Sequence, residues 1–206
     1  MCCRYSFRGD SPDERVQKIV SLMERDYPGQ FKMGEIFPGD TTAAILGADG
    51  RLRHTPAAFG FPGFKGGRLI LNARMETAAE KPTFAGCLRQ RRMILPADGF
   101  YEWSRGEDKT KYLFTLNGRR TLYLCGLYQE IEGTYHFVIL TRPANESMTA
   151  IHDRMPVIAS ADEVRPYLTD YAAAVNIISA PAPQLCRQPT EKEEEKKEER
   201  IDPDET

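Results

Sequence analysis

Between residues 11 and 27 the chain reads SPDERVQKIVSLMERDY, with Val16, Ile19, Val20 and Met23 at helical spacing among charged neighbours. That pattern predicts an amphipathic helix, with Ser11 as its N-cap, Pro12 at the first helical position and Glu14 completing a capping box. Strand-like runs follow. TTAAILGA and RLRHTPAAFGF flank Asp49-Gly50 and predict a hairpin, and KYLFTL and RTLYLCGLYQEI flank Asn117-Gly118 and predict a second. YHFVILT after Glu132-Gly133 extends the second hairpin into an antiparallel meander. Ser160 and Glu163 form another capping box, opening a short helix through SADEVRPYL, and AAVNIIS reads as a closing strand. The class is α+β and mainly antiparallel.

From about Pro181 the pattern stops. Residues 190–206, TEKEEEKKEERIDPDET, carry nine acidic and four basic side chains with no apolar stripe, which predicts a solvated tail. The net charge of −2 therefore conceals a mildly basic body of 24 basic and 21 acidic side chains. Such a balance is compatible with nucleic acid without requiring it. A chain of 206 residues with 41% hydrophobic and 28% charged content fits one soluble domain, and no apolar run approaches the roughly 18 residues of a membrane span. The five cysteines are odd in number and scattered, and no apolar signal core opens the chain, so a reducing cytosol is the expected compartment.

The opening MCCRYSF changes the picture most. Removal of the initiator Met ahead of a residue as small as Cys leaves Cys2 with a free α-amine and a thiol on adjacent carbons. An α-amine titrates at about 7.7–8.0 and a thiol at about 8.5, so both are partly reactive at neutral pH. Their natural partner is an aldehyde: the amine condenses to an imine, and the thiol closes on the imine carbon to a thiazolidine, helped by the high effective molarity of an intramolecular step. The competing reading is a frayed terminus with incidental cysteines.

Three further segments place polar groups in apolar surroundings: LNARMET (71–77), RRMILPADGFYEW (91–103) and TAIHDRMPVIAS (149–160). Asn72, Arg74 and Glu76 alternate by two, which on a strand aims them at one face. Glu102 sits between Tyr101 and Trp103, the only Trp, and His152 lies in a loop-like stretch. Each also has a structural reading, with Asn72 as a turn amide, Glu102 paired with Arg74, and His152 as a hydrogen-bonded structural histidine.

Taken together and in order, Met-Cys-x-Arg, Asn-Ala-Arg-x-Glu-Thr, Arg-Arg-x-x-x-Pro-Ala-Asp-Gly-Phe-Tyr-Glu-Trp and Ile-His-Asp-Arg-Met-Pro resemble the SRAP family. Its members are SOS-response-associated peptidase domain proteins, which shield abasic sites in single-stranded DNA. The resemblance implies one SRAP domain over residues 2–182 with a barrel-like, mainly antiparallel core and a few flanking helices, and a charged, disordered tail over 183–206. It implies that Cys2 is the nucleophile that crosslinks to the ring-opened abasic sugar. Asn72 matches the asparagine that positions the N-terminal residue, Glu102 the active-site glutamate, and His152 the histidine that assists proton transfer. These roles suit imine chemistry, which needs a proton delivered to a departing hydroxyl.

The resemblance further implies single-stranded DNA as partner, no cofactor, no metal, no membrane, a monomer, and cytoplasmic location with nucleoid association on DNA. Arg4, Arg74 and Arg154 match phosphate ligands, and Phe59, Phe61 and Phe64 fall where base-stacking aromatics are expected. Pro38 and Thr141 fall where the family lines its site. A lyase or peptidase activity accompanies the family. The sequence departs from the family at Cys3, where Gly is usual, and in carrying Phe where Trp is usual. A non-covalent single-stranded nucleic-acid module with Cys2 as bystander stays open as the alternative. A metal site is disfavoured, because His54, His136 and His152 have no ligand spacing.

Overall fold

The computed structural model describes residues 3–48, 50–63, 66–105, 109–119 and 121–190. Cys2, Asp49, Phe64 and the segment 191–206, on which several of the expectations above fall, lie outside the described residues. The α+β class holds. Strands β1 (Arg4–Phe7), β2 (Gly34–Ile36), β7 (Gly99–Trp103), β8 (Lys111–Thr115) and β13 (Cys186–Pro189) form one sheet in the order β13-β8-β7-β1-β2. A second sheet runs β11 (Arg154–Pro156), β10 (Thr134–Pro143), β4 (Arg51–Phe59), β3 (Thr41–Ala48), β6 (Arg92–Ala97), β9 (Leu122–Ile131) and β12 (Ile158–Ala159), with β5 (Asn72–Arg74) on β10. Because β10 pairs with β9 as well as β4, the circuit β10-β4-β3-β6-β9 returns to its starting strand. Most pairings are antiparallel; β10 runs parallel to β4 and β5.

Burial explains the layers. Tyr5, Phe7, Ile36, Phe100 and Phe114 from the first sheet meet Phe59, Leu95, Leu124 and Phe137 from the second in one core. A second core lies between the larger sheet and helices α3 (Pro82–Gln90), α4 (Val164–Thr169) and α5 (Tyr171–Ser179), through Phe84, Leu88, Tyr167, Ala174 and Ile177. No helix among the described residues is long and apolar enough to cross a membrane.

Four sequence expectations are corrected. Helix α1 (Glu14–Asp26) is capped by Asp13, whose carboxylate accepts from the Arg15 N–H, and the Ser11 hydroxyl instead contacts Thr121 Oγ1 at 2.9 Å. Asn117-Gly118 does not close a hairpin: β8 belongs to the first sheet and β9 to the second, so the turn, with Gly118 at φ 74°, passes the chain between them. AAVNIIS is the helix α5, because Asp170 caps it through the Ala173 N–H and Ala174, Ile177 and Ile178 share a buried face. The proposed tail begins later than residue 183, since Leu185 is buried and β13 pairs with β8. The β3–β4 hairpin and the β9–β10 pair match the reading.

Candidate active site

β1 is a central strand of its sheet, flanked by β2 and β7, and that pairing decides what meets the start of the chain. Tyr5 lies opposite Phe100 and Arg4 opposite Tyr101, so one residue further along the register Cys3 comes level with Glu102. Glu102 is only 4% exposed. Its proximity is felt chemically: burial first, then the Glu102 carboxylate, raise the Cys3 thiol above its ordinary pKa. The Cys3 sulfur is thus kept protonated and a poor nucleophile at neutral pH.

Cys3 also lines an open pocket of about 380 Å3 with Leu69, Ile70, Leu71 and Asn72. Asn72 opens the three-residue strand β5, and Glu76, expected on the same strand face, lies instead in α2 (Met75–Ala78). One wall of the pocket depends on Gly60, whose φ is +114° and whose added Cβ would meet Leu69 at 3.0 Å and Leu71 at 3.1 Å. Pro38 is exposed in the β2–β3 turn, whose Gly39 faces Leu69. A larger cavity of about 720 Å3 lies elsewhere, between the start of α1, the 158–163 loop and the end of α5. It contains none of the residues singled out for chemistry.

His152 lies in the turn before β11. Its Nδ1 accepts from the Arg154 N–H at 3.0 Å, which leaves the ring proton on Nε2 in the neutral imidazole. Asp153 Oδ1 is also 3.0 Å from Nδ1, in place to accept a hydrogen bond from Nδ1–H when the ring is doubly protonated. Arg154 ties this turn to α2 and β10: its guanidinium donates twice to Glu76, with Nη2 to Oε2 at 2.9 Å, and to the Thr141 carbonyl at 2.6 Å. The guanidinium fork is therefore filled by a carboxylate, and a phosphate reaches it only by displacing Glu76.

Hydrogen bonding to Arg154 holds the Glu76 carboxyl below the ordinary carboxylate range. A depressed folded pKa stabilises the fold above the unfolded value of about 4.3, and that contribution is lost as pH falls through the lower folded value. Because Glu76 is partly exposed, the effect is modest. Glu76→Gln is expected to lower the melting temperature by roughly 1–3 °C at neutral pH and to flatten the melting curve's acid limb, read by thermal melts between about pH 3 and about pH 7.

The other expected contacts divide. Arg4 and Arg74 reach the surface, Arg74 exposed beside the pocket and Arg4 half-buried on the opposite sheet face. Phe59 and Phe61 are corrected: both are buried in the core, Phe59 stacked on Phe137 at 5.0 Å and Phe61 against Phe84, so neither offers a ring to a base. The Thr141 side chain is likewise fully buried, and both its carbonyl and its hydroxyl, the latter at 3.3 Å, accept from Arg154 Nη2.

Sequence reasoning missed one cluster. The Arg4 guanidinium lies over the Phe37 ring at 4.4 Å and the Trp103 ring at 5.1 Å, and Lys111, 8% exposed, lies over Tyr101 at 4.4 Å. Lys111 donates to both Glu35 oxygens at 2.9 Å, while Arg4 contacts Glu35 at 3.5 Å. The only signal was the alternation of Tyr101 and Trp103 about Glu102, which on a strand puts the rings on the face opposite the carboxylate.

The model for the SOS response associated peptidase (SRAP) family matches residues 1–194. The abasic site processing protein YobE of Bacillus subtilis is 41% identical over 109 residues, covering 50% of this chain and 50% of that protein. The abasic site processing protein YedK of Escherichia coli is 25% identical over 181 residues, covering 82% of this chain and 79% of that one. The chain spans about half the length of the Bacillus relatives it matches. Among solved structures, a phage-related protein from Bordetella bronchiseptica superposes with a TM-score of 0.71 at 22% identity, covering 93% of this chain and 95% of that one. A protein from Bacteroides thetaiotaomicron superposes with a TM-score of 0.70 at 18% identity, covering 92% of each. These two likenesses concern the fold.

Proposed function

The chain belongs to the SOS response associated peptidase family, and from that premise we propose that it processes abasic sites in single-stranded DNA by covalent capture through Cys2. The observation that carries the reading is that Cys3, the neighbour of Cys2, borders a pocket with Asn72 and feels the buried Glu102 carboxylate. The names of the relatives YobE and YedK as abasic site processing proteins point to the same substrate.

In this mechanism the Cys2 α-amine, exposed by loss of Met1, adds to the C1′ aldehyde of the ring-opened sugar. The carbinolamine loses water to give an imine, and the departing hydroxyl takes a proton from a general acid. His152 is the residue for that transfer: as the imidazolium, with Asp153 accepting from Nδ1–H, it gives its Nε2 proton to the departing hydroxyl and is left as neutral imidazole. The Cys2 sulfur then forms a C–S bond to the imine carbon and the nitrogen takes up the proton, so aldehyde and aminothiol yield thiazolidine and one water. Glu102 receives and returns protons at the amine, and Asn72 orients the terminus. The raised Cys3 thiol stays out of the reaction. A lyase outcome follows if the imine eliminates the 3′-phosphate before the thiol closes; a peptidase activity would use the same nucleophile. Arg4 and Arg74 serve the phosphates, with the Phe37 and Trp103 rings beside Arg4 available to stack bases.

The test is a denaturing gel of protein with Met1 removal confirmed by mass, mixed with a single-stranded oligonucleotide carrying one abasic site. A heat-stable shifted band with damaged but not with intact DNA is expected. Its absence would leave non-covalent binding of single-stranded nucleic acid as the account.

A further inference from the structure

The first sheet brings a second feature to the Arg4 cluster. β13 runs antiparallel to β8, with Cys186 opposite Thr115 and Pro189 opposite Tyr112, so the chain travels toward Lys111 as it leaves the body. Thr190 fixes that exit: its N–H and its hydroxyl both donate to the Lys111 carbonyl, at 2.9 and 3.1 Å. Lys111 lies opposite Trp103 on β7, and Arg4 opposite Tyr101 on β1. Three strand spacings, about 14 Å, therefore separate the exit from β1. The segment that starts there, 191–206, has nine acidic and four basic side chains, a net of −5. At about 3.3–3.6 Å per residue its extended reach is roughly 50 Å, several times the distance to Arg4.

We propose that the acidic segment 191–206 docks on the face formed by Arg4, Lys32, Phe37, Trp103 and Lys111, and competes there with the nucleic-acid backbone. Lys32 lies over the Phe37 ring at 4.8 Å and donates to Asp40 at 2.7 Å, so the face carries three cations, Arg4, Lys32 and Lys111, against two carboxylates, Glu35 and Asp40. Three observations support this occupant: the exit point at Lys111, the length of the segment, and the net positive charge that the face keeps against a segment of net −5. Carboxylates spaced along a chain present negative charge as phosphates do, and tethering gives them a high effective concentration at the face. DNA must then displace the segment. A long single strand with many phosphates does so readily, whereas a short one competes poorly. The proposal rests on the reading of this face as one that contacts DNA.

The test keeps the full chain and changes only charge, replacing Glu191, Glu193, Glu194, Glu195, Glu198 and Glu199 by Gln. Binding to an undamaged single-stranded oligonucleotide is followed by fluorescence anisotropy. The variant is expected to bind roughly three- to tenfold tighter at about 50 mM salt, the gap closing near about 0.5 M. Trp103, the only tryptophan, gives a readout without DNA. Its quenching by both iodide and neutral acrylamide should rise in the variant, independently of protein concentration. Equal affinities with equal quenching overturn the proposal. A rise with iodide alone also overturns it, in favour of a diffuse field without docking, and a concentration-dependent rise assigns the segment to a second copy. If neither protein binds DNA while the quenching difference persists, the docking stands and the nucleic-acid reading of the face falls.

Discussion

Replacing Cys2 by serine is expected to abolish the heat-stable adduct with an abasic oligonucleotide while leaving a product that borohydride reduction traps. The substitution separates the two nucleophiles of the terminus. Serine keeps the α-amine, so condensation to the imine proceeds, and reduction of the C=N bond locks it as a secondary amine. It removes the sulfur, and a hydroxyl at a serine's pKa closes an analogous ring far less readily than a thiol near its own. The imine stays open to water, which returns aldehyde and amine during heating. With effective molarities of oriented groups reaching about 10⁵ M or more, loss of the second bond should lower the unreduced adduct at least roughly 100-fold. Cys3→Ser on the same gel should change little, because burial and Glu102 keep that thiol protonated. An undiminished heat-stable band from Cys2→Ser would sink the thiazolidine chemistry, and loss of the reduced band as well would assign Cys2 a role in placing the terminus.

The candidate residues and α1 were legible because their signals are local. The motif residues Asn72, Glu102 and His152 stand out from their immediate neighbours, and the helical stripe of Val16, Ile19, Val20 and Met23 identifies α1 without any long-range information. What failed depended on partners distant in sequence. Ser11 has the side chain of a cap, but Thr121, 110 residues away, takes its hydroxyl, and the capping role passes to Asp13. Asn117-Gly118 encodes a turn and says nothing about whether the strands on either side share a sheet; the pairing of β9 with β6, β10 and β12 and of β8 with β7 and β13 decides that. AAVNIIS has the composition of a strand, yet the Asp170 cap and the spacing of Ala174, Ile177 and Ile178 make it helical. Phe59 and Phe61 illustrate the same limit at the site. Aromatic content marks a segment as able to stack on bases, but only the pairing of β4 with β10 reveals that Phe59 is already stacked on Phe137.

The largest loss of stability is expected at Arg92, a motif residue that touches no part of the candidate site. Its side chain enters the second core and donates to four backbone carbonyls: Nε to Tyr167 at 2.5 Å, Nη1 to Leu88 at 2.9 Å and Arg89 at 2.5 Å, and Nη2 to Leu168 at 3.2 Å. Those carbonyls lie in the last turns of α3 and α4, where a helix has no intrahelical donor left to offer them. Burial lowers the Arg92 pKa from its ordinary value, which records how far the guanidinium has been taken from water. The helices have little freedom to adjust, since an added Cβ at Gly47 on β3 would lie 2.9 Å from the Leu168 carbonyl oxygen. Arg92→Leu fills much of the volume and supplies no donor, so it leaves these carbonyls buried and unmatched. The expected cost is roughly 3–5 kcal/mol, or about 10 °C in melting temperature for a chain of this size. Arg92→Lys should recover part of the loss, because an ammonium donates but does not span two helix ends as the fork does. Adduct formation well below the melting temperature should be unchanged in both variants. A melting temperature for Arg92→Leu within about 2 °C of the wild type would show that water reaches these helix ends once the guanidinium is gone.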